Sequence, residues 1–301
     1  MMLCVVNRNA GNGRGIGIWR SVEDCLRRFD IPYDSSITRT AEEAEEAVRH
    51  YMERNPGALI VVIGGDGTIH RLLPLLVGTE ATLGIIPAGS GNDTARGFSL
   101  PMDPLEALLT ILHGQRSIVD LIYANGQWTL TALATGFDAD VAQYVNASRF
   151  KRWFNRLGIG SLAYLYGLLH TLFRFQPADA DIVVDGDARS FKGVWLAAIT
   201  NVPYYGGGIP ICPDAEAGDG VLDVCVVHGC SRWALLRLFP TVYSGRHRTL
   251  PYVTMLRGRQ IGIHSEVRRW TYGDGECVSA TPLHAAAAQG KLQMMIPARS
   301  R

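Results

Sequence analysis

The chain has no excess of charge of either sign. Across 301 residues, 29 basic side chains stand against 28 acidic ones, a formal net charge of +1. No global field therefore draws it to nucleic acid or to an acidic bilayer, and any membrane contact has to be local. Cysteine motifs are missing too: Cys4, Cys25, Cys212, Cys225, Cys230 and Cys277 form no Cys-x-x-Cys pair and no Cys/His cluster at zinc spacing. A reducing, cytoplasmic setting is expected. No apolar run reaches the roughly 20 residues that a membrane-spanning helix requires, since the stretch from Leu162 to Leu169 is cut by His170 and Arg174. The start, "MMLCVVNRNAGNG", lacks the basic head and long apolar core of a signal peptide and reads as a first strand. Internal repeats, low-complexity tracts and long linkers are also lacking.

What remains, at 47% hydrophobic and 19% charged residues, is a globular chain whose length favours two domains. Up to about residue 123, strand and helix signals alternate, the pattern of a parallel sheet flanked by helices. Leu3 to Val6, Ala58 to Ile63 and Leu83 to Ile86 read as buried strands. Thr40 and Glu43 form a capping box ahead of "AEEAEEAVRHYMER". Ile69, Leu72, Leu73 and Leu76 recur at helical spacing, with Pro74 expected to shorten or bend that helix. From about Tyr123, short strands such as "QWTLTALAT", "DIVVDG" and "GVLDVCVV" follow one another between turns, as in an antiparallel sandwich or barrel. Helices are expected from about Ser148 to Phe175 and near Arg232 to Tyr243.

Three strand ends open into glycine loops: "NRNAGNGRGIG" from Asn7, "GGDGT" from Gly64 to Thr68, and "PAGSGNDTARG" from Pro87 to Gly97. Free N–H groups at such junctions bind phosphates, and glycines let the oxygens reach the backbone. The first loop is neither a Walker A loop nor a dinucleotide fingerprint, because no Gly-Lys-Ser/Thr and no G-x-G-x-x-G occurs in it. Asp66 would repel a bare phosphate. Its presence suggests a bridging divalent metal or a bound hydroxyl, with an Asx-type cap on a tight turn as the plain alternative. Asp274 and Glu276 in "YGDGE" lie in a turn between strands, where a carboxylate can reach across a cleft; an ordinary Asp-Gly hairpin is the alternative there.

"GGDGT" together with "PAGSGNDTARG" resembles the catalytic domain of the diacylglycerol-kinase family, which includes bacterial lipid kinases and the sphingosine and ceramide kinases. The resemblance extends through "ATGFDADV" (Ala134 to Val141), "YGGGIPICPDAEAGDGVLDV" (Tyr205 to Val224) and "YGDGE" (Tyr272 to Glu276), and so spans nearly the whole chain. It implies an α/β N-terminal domain of the NAD-kinase/diacylglycerol-kinase type, 1–123, and a mainly antiparallel β-sandwich lipid-substrate domain, 124–286, with 287–301 a candidate to rejoin the first. It further implies Mg2+-dependent transfer of the ATP γ-phosphate to a lipid hydroxyl.

The implied nucleotide contacts are Asn7, Asn9, Ala10, Gly11, Asn12, Gly13, Thr38, Gly64, Gly65, Asp66, Gly67, Thr68, Gly89, Ser90, Gly91, Asn92 and Asp93. Asp274 and Glu276 are the implied catalytic acids. Asp66 is the implied ligand of the catalytic Mg2+, and Glu216, Asp219 and Val221 those of a second, structural ion. Two departures stand out: Arg8 where the family usually has proline, and Ser90 where it has threonine, the hydroxyl being kept. ATP and a lipid are the expected partners, with peripheral membrane contact, no nucleic acid, and a homodimer as an admissible assembly. The mixed stretch Arg149 to Gly158 suits a headgroup interface, or equally a surface helix that buries its aromatics. Leu162, Leu165, Leu169 and Phe173 are expected in the core, and His70 on a helix surface. Two other readings stay open: an NAD-kinase-like enzyme acting on a soluble substrate, and a non-catalytic nucleotide or lipid sensor.

Overall fold

The computed structural model describes residues 2–147 and 160–298, so the stretch from Arg149 to Gly158 lies outside the described residues. The first half runs β1 (Met2–Asn7), α1 (Gly15–Arg28), β2 (Asp34–Thr38), α2 (Ala41–Arg54), β3 (Leu59–Gly64), α3 (Asp66–Leu76), β4 (Thr82–Pro87), α4 (Asp93–Gly97) and α5 (Pro104–His113). Strands β2-β1-β3-β4 pair in parallel. Because side chains alternate along a strand, Leu3 and Val5 of β1 face one way and Cys4 and Val6 the other. Leu72, Leu73 and Leu76 of α3 and Val48 of α2 cover the first face. Trp19, Val22 and Leu26 of α1 and Leu108 of α5 cover the second. Each such fully buried side chain contributes about 1.5–3 kcal/mol. Half of the Thr40–Glu43 capping box forms: Glu43 N donates to Thr40 Oγ1 at 3.3 Å, while the Glu43 side chain reaches past the cap to accept Arg39 N at 2.7 Å. Helix α3 is not shortened at Pro74 but runs on to Leu76.

The second half continues with β5 (Gln115–Ala124), β6 (Gln127–Thr129), β7 (Ala132–Gly136), α6 (Phe137–Ala147), α7 (Gly160–Arg174), β8 (Ala178–Val184), β9 (Asp187–Thr200), β10 (Leu222–His228), α8 (Arg232–Val242), β11 (Val253–Gly258), β12 (Gln260–Ser265), β13 (Trp270–Gly273), β14 (Glu276–Ala280) and β15 (Leu283–Ile296). This is an antiparallel β-sandwich set against the α/β half. The run "QWTLTALAT" is two strands, broken at Leu130 and Thr131. Strand β15, 14 residues long, belongs to both halves. It pairs antiparallel with β5 along most of its length; on the other edge its start pairs antiparallel with β12 and its end lies parallel to β4 through Gln293↔Thr82 and Met294↔Leu83. A bulge at Ala288 to Leu292, with Gly290 at φ +61°, shifts the register against β5 between the β12-paired and β4-paired segments.

The expected core stripe on α7 is instead partly exposed. Leu172 and Phe175 are buried, whereas Leu169 and Phe173 are 39% and 60% exposed. The inward face of α7 is set by positions 168, 171, 172 and 175, one residue out of phase with the expected stripe. The side chains of residues 162 and 165 are not among those described.

Candidate active site

The three glycine loops meet at one edge of the parallel sheet. Asn7, ending β1, donates from Nδ2 to Thr68 Oγ1 at 2.8 Å and accepts Asn9 N on Oδ1 at 3.0 Å, which ties the first loop to the second. Gly11, Asn12 and Gly13 follow one another at φ +57°, +61° and +91°. The second and third loops touch backbone to backbone: a Cβ on Gly65 would lie 2.9 Å from Gly89 Cα, and one on Gly89 2.6 Å from Gly65 Cα. Only glycine fits at either place. Gly89→Ala is accordingly expected to part the loops and weaken nucleotide binding at least about tenfold, a loss of roughly 1.4 kcal/mol, readable by titration with a fluorescent ATP analogue.

Asp66 holds the junction from below. Its Oδ1 accepts Thr94 N at 2.9 Å and its Oδ2 accepts Asp93 N at 3.1 Å, so the carboxylate caps α4. Asn92, at φ +53°, closes the third loop by accepting Gly89 N at 2.9 Å and donating to Gly89 O at 3.2 Å. Ser90 is exposed at the tip of that loop. Asp93 is buried and points across the cleft, where Gly207 N and Gly208 N donate to it at 2.9 and 2.6 Å. Burial, with a smaller contribution from the Asp66 charge, pushes Asp93 up to about 6 against the pull of those N–H groups. Thr38 is turned inward, its hydroxyl donating to Val6 O at 3.2 Å.

The resulting cavity, about 540 Å³, is lined by Asn7, Asn9, Ala10, Thr38, Gly65, Gly67, Thr68, Gly89 and Glu276. Arg39, Glu42 and Arg71 also line it, and the sequence reading passed over all three. Arg71 is held by Glu45 at 3.0 Å and Glu42 at 3.5 Å. Arg14 reaches Gly11 O at 3.0 Å beside the first loop. With lysine present only at positions 151, 192 and 291, the cations near this cavity are arginines, suited to bidentate phosphate contact.

The two acids of "YGDGE" have different surroundings. Asp274, at φ +50°, and Gly275, at φ +90°, form the tight turn between β13 and β14. The Asp274 side chain is 2% exposed. On Oδ1 it accepts Thr131 N at 2.9 Å and Thr131 Oγ1 at 2.5 Å; on Oδ2 it accepts Leu130 N at 2.8 Å and faces His70 Nδ1 at 3.1 Å. The break between β6 and β7 thus supplies the N–H groups that seat the turn. Glu276 is exposed, and its Oε1 lies 3.3 Å from where a Gly67 Cβ would stand. His70 is not a surface residue: its side chain is 11% exposed and joins α3 to the hairpin.

The residues of the implied second ion site are engaged in contacts of their own. Glu216 and Asp219 are not among the residues lining the cavity at the glycine loops. Asp219 pairs with Arg257 through Oδ2, and its Oδ1 accepts Val221 N at 3.0 Å. The Glu216 carbonyl accepts Gly218 N at 2.8 Å. Arg257 already pairs with the Asp219 carboxylate, and Glu216 is exposed, so Glu216, Asp219 and Val221 do not fit a cation as arranged. Among the described residues, no group of three or more His, Cys, Asp or Glu side chains could hold a metal.

Comparison with known proteins covers both halves. Residues 1–124 match the diacylglycerol kinase catalytic domain, and residues 131–296 match the YegS C-terminal NAD kinase beta sandwich-like domain. A diacylglycerol kinase of Mycobacterium tuberculosis is 36% identical over 299 residues, covering 97% of this chain and 94% of that one. A diacylglycerol kinase of Bacillus subtilis is 27% identical, covering 89% and 88%. The fold is shared with a crystal structure of a diacylglycerol kinase from Bacillus anthracis, at a TM-score of 0.73, 23% identity, and coverage of 98% and 96%. Identity at that level along almost the full length places the chain in the diacylglycerol-kinase family of lipid kinases.

Proposed function

We propose that the chain transfers the γ-phosphate of ATP to the hydroxyl of diacylglycerol or a related lipid, with Glu276 as general base and Asp274 as the anchor that positions it. One observation carries the assignment: both oxygens of Asp274 already take two hydrogen-bond partners each, whereas Glu276 stands exposed over the nucleotide cavity. A carboxylate has about four acceptor sites, so Asp274 has none left for a substrate proton. In the reaction Glu276 takes the proton of the lipid hydroxyl, the lipid oxygen attacks the γ-phosphorus, and the bond to ADP breaks. The N–H groups that open α3 and the left-handed loop from Gly11 to Gly13 bind the phosphates, helped by the helix dipole. Transfer of labelled γ-phosphate into an organic-extractable product, across a panel of diacylglycerol, sphingoid bases, phosphatidylglycerol and polyprenols, tests the reading and names the lipid. A labelled product found only in the aqueous phase would refute it.

The residues fit Mg2+ at Asp66. Each of its oxygens accepts one N–H and keeps a lone pair, and the neighbouring Asp93 is a second carboxylate whose charge Asp66 disfavours. Asp66, with ATP phosphates and water, would hold the ion, which magnesium's preference for few protein carboxylates allows. When bound, it neutralises charge on the transferring phosphoryl group.

Lipid access is assigned to the α7–α8 face. Phe173 and Trp233, 60% and 64% exposed, meet edge to face at 6.4 Å, with Leu169 alongside. Neither helix carries an acidic residue; Arg174 and Arg237 add positive charge, and Arg232 ties α8 to the end of α7 by donating to Leu172 O and Phe175 O. Such a mixture suits peripheral contact with an anionic interface. No helix among the described residues is long and apolar enough to cross a membrane. Phe173→Glu with Trp233→Glu is expected to lower partition onto anionic vesicles at least about tenfold, measured by co-sedimentation, without changing ATP binding.

A further inference from the structure

His70 contacts Asp274 of the hairpin and shares helix α3 with Gly67, beside which Glu276 lies. An ionised Asp274 accepts and cannot donate, so its 3.1 Å contact with His70 Nδ1 places the ring proton there. The lone pair is left on Nε2. His70 follows Gly67 by three residues on α3, which puts the two on one face of the helix, and Glu276 Oε1 lies 3.3 Å from the Gly67 Cβ position. The imidazole, 11% exposed, is therefore held on the same helix face over which Glu276 leans.

We propose that His70 is the second station of the proton removed from the lipid hydroxyl. This rests on the reading of Glu276 as base. As the lipid O–H bond breaks, Glu276 takes the proton, and its protonated carboxyl then gives that proton, directly or across one water, to Nε2 of neutral His70. The products are a regenerated Glu276 carboxylate and an imidazolium paired with Asp274; the electron pair of the O–H bond goes to the new P–O bond. The imidazolium later loses its proton to solvent. The charged groups acting on His70 are Asp274 and Glu276 from the hairpin and Arg71 from its own helix. Burial opposes the imidazolium, but the two carboxylates outweigh it and raise His70 above its ordinary value. The arrangement is a histidine whose partners favour its taking up a proton.

The test is the pH dependence of kcat in three forms of the full-length enzyme. His70→Asn keeps an amide donor at the Nδ1 position for Asp274 and removes Nε2; His70→Ala removes both. In the parent, kcat is expected to fall on the acid side through a group titrating above the ordinary histidine value. In His70→Asn that limb should move down by more than one pH unit into the carboxylate range, with kcat at pH 8 lowered at least about tenfold. Its ATP KM and thermal midpoint should stay put, while His70→Ala loses thermal stability as well. An acid limb unmoved in His70→Asn would overturn the relay, and so would an undiminished kcat. If His70→Asn does not fold, an unmoved limb in His70→Ala is equally decisive. Failure of the Glu276 reading shows itself separately, as full turnover in Glu276→Gln.

Discussion

Glu276→Gln is expected to lower kcat by about 10²- to 10⁴-fold, or roughly 3–5.5 kcal/mol of barrier, with ATP affinity and thermal midpoint unchanged. The reasoning is geometric. Glu276 is exposed, its carboxylate has no hydrogen-bond or ion-pair partner among the described residues, and it overhangs Gly67 at the cavity where phosphates would lie. Replacing it with its amide removes the base and little else. Transfer of labelled γ-phosphate to a dispersed lipid, measured beside ATP binding on the same preparation, separates chemistry from affinity. Wild-type turnover in this variant would move the base elsewhere.

Asp274→Asn is expected to fail differently. The carboxylate accepts from Leu130 N, Thr131 N and Thr131 Oγ1 in a site 2% exposed, and an amide presents two of its own donors to that group of donors. Each buried donor left unmatched costs on the order of 1–3 kcal/mol, so the thermal midpoint should drop by several degrees and kcat should fall with it. Differential scanning calorimetry is the readout. A stable, inactive Asp274→Asn enzyme would give Asp274 a direct part in the chemistry; an unstable one keeps it as the anchor.

The local parts of this site are legible in the sequence. A strand, a glycine loop and a helix start follow one another within a dozen residues, so Gly64 to Thr68 and Pro87 to Gly97 were found by spacing, and the second of them separated the lipid-kinase resemblance from the NAD-kinase alternative. What stayed hidden was long-range. His70 meets Asp274 across 204 positions, and a histidine after GGDGT carries no periodic signal of that partner. Asp219 pairs with Arg257, 38 residues on, and the turn sequence gives no sign of that partner. On α7 the stripe was misphased because nearly every position is apolar, so helical spacing alone could not choose the buried face. The break at Leu130 and Thr131 was invisible for the opposite reason: "QWTLTALAT" alternates without a turn residue, and the interruption serves Asp274 rather than local geometry.

The shared strand β15 gives the cleft its mechanics. A linker between halves would let them swing about soft torsions at little cost. Here one continuous, hydrogen-bonded strand is pinned to β4 at one end and to β12 at the other, and its bulge is stitched down where Asp120 accepts Gly290 N and Gly220 N, each at 2.8 Å. Changing the width of the cleft therefore means flexing a beam at a single notch. Asp93 and Asp274 clamp the open side with bonds to Gly207, Gly208 and His70, so a substrate that widens the gap works against a spring rather than a hinge.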